Sequence, residues 1–139
     1  MENKFSISFS ALSENEAFAR MCISAFLLPR DPTVNEMSDI KTAVSEAVTN
    51  AIIHGYNGKE GMVDMRARLD EDTVYIEISD TGVGIDDIAA ARKPLFTTRP
   101  DCERSGMGFT VMEAFMDEVD VVSEKGRGTK ISMTRKLRG

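Results

Sequence analysis

Three stretches of the sequence hold residue types that can do chemistry at spacings that bring them together. In the first, Glu46, Asn50 and His54 recur at i, i+4 and i+8, so a helix presents all three on one face, with Met37, Ile40, Val44, Val48 and Ala51 as the opposite apolar stripe. A carboxylate there can act as a general base. An amide oxygen can ligate Mg2+, a hard cation that often takes few of its ligands from the protein. The plain alternative is a solvated polar face. Residues 42–54, however, contain one formal charge, Glu46, where this chain's composition would give about four. That fits a helix covered on both sides, with one carboxylate and one amide facing a cleft. The second stretch is Asp80-Thr81-Gly82-Val83-Gly84, directly after an alternating apolar run. Glycines let a backbone approach a flat ring or a phosphate closely, and a carboxylate buried beside them can accept a hydrogen bond from an exocyclic amine. The alternative is a strand that ends in a glycine turn. The pattern is not the dinucleotide GxGxxG fingerprint. The third, Ser105-Gly106-Met107-Gly108-Phe109, leads into a helical pattern, and backbone N–H groups at such a start bind anions. It lacks the Lys-Ser/Thr of a P-loop, which excludes Walker-type binding. Arg99 and Arg104 lie close by, and arginine suits bidentate phosphate contacts. A simple helix-start turn and ordinary surface arginines are the alternatives.

These residues need elements to hold them. Phe5, Ile7 and Phe9 alternate with Ser6, Ser8 and Ser10, the period of a half-buried strand. A capping-box pattern at Ser13 and Glu16 opens a helix in which Phe18, Met21, Cys22 and Ala25 recur at helical spacing until Pro29 and Pro32. A second box, Thr33 to Glu36, opens a longer helix predicted over residues 34–54 and stopped by Gly55. Strands follow over 62–69 and 73–79, joined by the acidic turn Asp70-Glu71-Asp72. Residues 80–108 read mostly as loop with a short helix over 86–92, then come a helix over 109–116 and closing strands over 118–123 and 129–134. The order β-α-α-β-β-loop-α-β-β predicts an α+β two-layer sandwich, with helices on one face of a mostly antiparallel sheet. A loop that long inside a compact domain is usually functional, often a lid.

The 139 residues, with a net charge of −6, are the size of one domain, expected here to span 1–139. The 42% apolar and 29% charged fractions match a globular domain and not a disordered chain. No apolar run reaches the ~18 residues of a membrane span, and the polar start Met1-Glu2-Asn3-Lys4 does not read as a signal peptide, so a cytoplasmic protein is expected. Cys22 and Cys102 have no metal-ligand spacing. The acidic balance disfavours nucleic acid as a direct partner.

Taken together and in this order, the motifs resemble the GHKL superfamily of ATP-binding domains, which includes histidine kinases, gyrase-type ATPases, Hsp90 and MutL proteins. More narrowly, Ser45-Glu46-Ala47-Val48-Thr49-Asn50-Ala51-Ile52-Ile53-His54-Gly55-Tyr56, Pro94-Leu95-Phe96-Thr97-Thr98 and Arg104-Ser105-Gly106-Met107-Gly108-Phe109 are similar to the anti-sigma kinases of spore-forming bacteria. The resemblance covers nearly the whole chain. It implies the GHKL (Bergerat) sandwich, with a mixed sheet, and a serine kinase that binds and inhibits a sporulation sigma factor, sigma factor F, and phosphorylates the anti-anti-sigma factor on a serine. ATP and Mg2+ are the implied cofactors, with ADP as product.

By the same resemblance, Glu46 is the general base and Asn50 the Mg2+ ligand. Asp80 bonds the adenine amino group, in a pocket shaped by Gly82 and Gly84, with Thr129 nearby. Residues 93–108 form an ATP lid that includes Thr97, Thr98 and Arg99. Arg104 reaches the terminal phosphates, which Ser105, Gly106, Met107 and Gly108 line. Residues 1–30 contribute to a homodimer and to partner contacts, with Arg20 presented to both partners. The first helix has apolar side chains on both sides, so a helix wedged within the core is the alternative there. Functional alternatives are a kinase for a stress-type sigma factor, a detached histidine-kinase domain, and a binding protein that transfers no phosphate; the retained Glu46 argues against the last.

Overall fold

The computed structural model describes residues 2–84 and 108–138. Five strands form one sheet in the order β1-β2-β3-β5-β4: β1 Glu2–Ser10, β2 Met62–Asp70, β3 Thr73–Asp80, β4 Glu118–Glu124 and β5 Gly128–Lys136. All four pairings are antiparallel, so the mixed character expected of the sheet does not occur among the described residues. The alternating pattern sets the faces. Phe9, Val63, Met65, Ile76, Ile78, Ile131 and Met133 point to a helical layer, while Lys4, Arg66, Arg68 and Tyr75 occupy the other face, where the Arg68 guanidinium lies 3.9 Å from the centre of the Tyr75 ring.

The helical layer comprises α1 (Asn15–Leu27), α2 (Val34–Thr49) and α3 (Gly108–Phe115), with α2 packed between the other two. The capping box at the start of α2 forms as the sequence predicts. Thr33 Oγ1 accepts the Glu36 N–H at 3.0 Å, and Glu36 Oε1 accepts the Thr33 N–H at 2.9 Å. The box expected at Ser13 and Glu16 does not form: Glu14 takes the capping position without a side-chain hydrogen bond. Glu16 has a stronger, charge-assisted partner in Arg20.

Both faces of α1 are apolar, and packing selects one of them. Ala19, Ile23 and Leu27 are fully buried, while Phe18 is 47% and Met21 68% exposed. The helix is therefore not wedged within the core of this chain. The predicted helix over 34–54 is continuous, but its last turn changes form. Residues Asn50–Gly55 adopt the wider π winding, in which the Tyr56 N–H reaches back to the Ala51 carbonyl at 3.1 Å. The short helix expected over 86–92 lies outside the described residues.

Candidate functional site

β3 ends at Asp80, on the helix-facing side of the sheet, opposite Thr129 of β5. Both are buried, at 6% and 5% exposure. Asp80 Oδ1 accepts the Gly82 N–H at 2.9 Å, and the carboxylate also accepts the Thr129 N–H. Loss of water is the dominant influence and pushes the Asp80 carboxyl above its usual range, against the pull of these two donors. An ionised carboxylate offers about four lone-pair sites, so two N–H groups leave it with acceptor capacity for the exocyclic amine of a base. The Thr129 hydroxyl lies 2.8 Å from Ser123 Oγ.

The loop after Asp80 is stitched to its surroundings by backbone bonds. The Val83 N–H donates to the Gly55 carbonyl at 2.8 Å, and the Gly126 N–H donates to the Val83 carbonyl at 2.6 Å. Gly82 and Gly84 serve this closure. A Cβ on Gly82 would sit 1.9 Å from the Gly55 oxygen, and one on Gly84 would sit 2.2 Å from the Glu124 oxygen. Their missing side chains therefore admit protein backbone, and they shape the site by letting the loop close.

Tyr56 is a positioning residue that its own spacing does not single out. Its hydroxyl donates to the Met62 carbonyl and accepts the Thr81 N–H at 2.9 Å, while its ring fills the space beside Gly61. Its sequence signals are its place directly after the turn-forming Gly55 and at the end of the Ser45–Tyr56 motif.

Glu46 and Asn50 stand one turn apart at the end of α2, both half-buried, with the Asn50 N–H donating to the Glu46 carbonyl. Asn50 opens the π turn, and this turn packs against β3 and β5. At its far end, Gly55 lies so close to Asp80 that a Cβ there would be 2.8 Å from the carboxylate. One helix end thus connects the carboxylate–amide pair to the buried acid. Arg20 faces α2: its Nη1 donates to Glu16 Oε1 of its own helix at 2.6 Å and to Ser45 Oγ of α2 at 3.2 Å. Gly108 begins α3. Thr97, Thr98, Arg99, Arg104, Ser105, Gly106 and Met107, and with them the lid expected over 93–108 apart from Gly108, lie outside the described residues.

Residues 9–135 match the histidine kinase-like ATPase domain family. An anti-sigma F factor of Clostridium beijerinckii is 59% identical over 137 residues, covering 98% of this chain and 96% of its relative. The chain belongs to the anti-sigma F factor family. A second member of that family, from Clostridium perfringens, is 56% identical over 138 residues and 99% of both chains. The same fold occurs in the crystal structure of the RsbU and RsbW domains of Rv1364c from Mycobacterium tuberculosis, with a TM-score of 0.69 at 20% identity. That match covers 97% of this chain and 32% of the other. The chain is thus built on an ATPase-type domain. None of its described helices is long and apolar enough to cross a membrane.

The donor set bears on which cation such a site would take. Among the described residues, no group of three or more His, Cys, Asp or Glu side chains is placed to hold a metal. Asn50 offers one hard amide oxygen. A Mg2+ ion carried mainly by nucleotide phosphates and water, with a single protein oxygen, fits that supply.

Proposed function

We propose that the chain is an ATP-dependent serine kinase that binds and inhibits sigma factor F and phosphorylates the anti-anti-sigma factor on a serine, leaving ADP. The observation that carries the reading is the buried Asp80 carboxylate, tied through Gly82, Val83 and Gly55 to the turn that Asn50 opens. The name of the relatives supports the sigma-factor half of the proposal.

In this reading Asp80 accepts a hydrogen bond from the adenine amine, beside Thr129. Gly82 and Gly84 hold the loop that presents it. Glu46 takes the proton from the attacking serine hydroxyl of the docked partner. Asn50 would hold the Mg2+ of the bound nucleotide, which would supply neutralisation of charge on the transferred group. Thr97, Thr98 and Arg99 belong to the lid of residues 93–108, Arg104 meets the terminal phosphates, and Ser105, Gly106, Met107 and Gly108 line them. A homodimer through residues 1–30, with Arg20 offered to both partners, completes the proposal. Phosphoryl transfer of this kind depends mainly on positioning and charge, and the base adds about 10²–10⁴-fold.

The test incubates the chain with Mg2+, terminally labelled ATP and the anti-anti-sigma factor. Serine-linked label on the partner is expected. Glu46→Gln should bind ATP normally while transfer falls by about 10²–10⁴-fold, and Asn50→Ala should lose Mg2+-dependent nucleotide binding. Label on His54, or no label at all, would overturn the kinase reading. Equal transfer by Glu46→Gln and the parent would remove the base assignment alone.

A further inference from the structure

Between α1 and α2 runs a groove of about 610 Å³, lined by Leu28, Val34 and Met37, with Lys41 on its wall and with Arg20 and Ser45 among its polar lining. Arg20 and Ser45 also belong to a chain of polar contacts. The Arg20 Nη1 is shared between Glu16 Oε1, at 2.6 Å, and Ser45 Oγ, at 3.2 Å. The second carboxylate oxygen of Glu16 accepts the Thr49 hydroxyl at 3.2 Å. Ser45 and Thr49 are the immediate neighbours of Glu46 and Asn50, and Thr49 is the last residue before the helix widens into its π turn. One carboxylate, Glu16, therefore bridges a groove-lining cation and the turn that carries the candidate site.

We propose that Glu16 is a positioning residue that couples occupancy of the Arg20 groove to the geometry of the Asn50 turn. The inference rests on the function proposed above. The groove sets Arg20 and Lys41 against one acid, Asp31, so the group it suits is a partner carboxylate beside an apolar side chain. Such a carboxylate competes with Glu16 for the guanidinium. When Arg20 turns to the partner, Glu16 loses the cation that fixes it, and the Thr49 hydroxyl loses a fixed acceptor. Linkage makes the effect reciprocal: a nucleotide that holds the Asn50 turn in one geometry changes partner affinity by the factor by which the partner changes nucleotide affinity. Because the Glu16–Arg20 pair is only partly buried, a modest factor is expected.

Thr49→Val removes the hydroxyl and keeps the shape, Thr49→Ser restores the hydroxyl, and Glu16→Gln removes the charge. Each variant, and the Glu16→Gln/Thr49→Val double variant, is titrated with MgATP and MgADP alone, then with sigma factor F in the presence of each nucleotide. Melting temperature is followed in parallel. The expected result is that Thr49→Val and Glu16→Gln each reduce the ATP-to-ADP ratio of partner affinity by about three- to tenfold. The double variant should be no worse than either single one, and Thr49→Ser should behave as the parent. A loss of stability by itself would not produce that ratio change with serine rescue. Thr49→Val with the parent's nucleotide affinities and partner ratio would overturn the coupling and leave the proposed function standing. A parent chain that binds no nucleotide would overturn both.

Discussion

Burial holds the Asp80 carboxyl above its usual range because the charged form gives up water and regains only two backbone N–H donors. Its folded pKa lies above the unfolded one, so the folded state keeps the proton to higher pH. The resulting penalty is present above the folded pKa and disappears as pH falls to the unfolded value. The ionised acid is thus held at a cost in stability. Asp80→Asn should fold with equal or greater stability in urea titrations at pH 7, since an amide oxygen can still accept from Gly82. Its NH2 group would face the donor amine of a bound base, and ATP affinity should fall by about 10–100-fold, the scale of an unpaired buried donor. Unchanged ATP affinity would remove Asp80 from the site. The spacing Asp80-x-Gly82-x-Gly84 pointed to this carboxylate, but not to why the glycines are there. Gly82 meets the Gly55 carbonyl and Gly84 meets the Glu124 carbonyl, contacts that no local pattern encodes.

At the scale of elements, the site is made by closing one loop against one helix end. The wider turn at Asn50–Gly55 leaves the Gly55 carbonyl to accept the Val83 N–H, and Tyr56 clamps the same loop through Thr81. Gly82→Ala should therefore act on both fold and function. The added carbon meets backbone, which no rotamer change relieves, so thermal or urea unfolding should show a loss of about 1–3 kcal/mol together with weakened ATP binding. A variant as stable as the parent would show that the loop does not need this approach. The two capping-box sequences show what local pattern can and cannot decide. Thr33 and Glu36 have each other as their nearest good partners and form the box. Glu16, in the same local arrangement, is taken by Arg20 and Thr49.

Across the whole molecule, a few polar ties bind the C-terminal strand and the residues after it to the central helix and to the end of α3. Buried Glu36 caps α2 and also accepts the Arg138 N–H at 2.7 Å, while Arg135 of β5 bonds Asp39 of α2 at 3.1 Å and the Phe115 carbonyl at the end of α3. The Arg138 N–H, then the Thr33 N–H, hold the Glu36 carboxyl below its usual range despite burial. The sign is opposite to that of Asp80. Glu36 contributes stability above its unfolded pKa, and the contribution is lost as pH falls through the folded value. Glu36→Gln should be less stable than the parent at pH 7 by about 1–2 kcal/mol, with the gap narrowing in acid; urea unfolding from pH 7 to pH 3 checks this, and a pH-independent gap would refute the ionic contribution. By itself, the sequence determined the elements, their order, the sandwich and the residues that could do chemistry, because periodicity and capping act between neighbours along the chain. Only the tertiary structure decided which apolar face of α1 is buried, where Glu16 spends its carboxylate, and what Tyr56 and the glycines are for. Those outcomes depend on partners 25 positions apart for Tyr56 and Thr81, and 33 apart for Glu16 and Thr49, which meet only when the helical layer closes on the sheet.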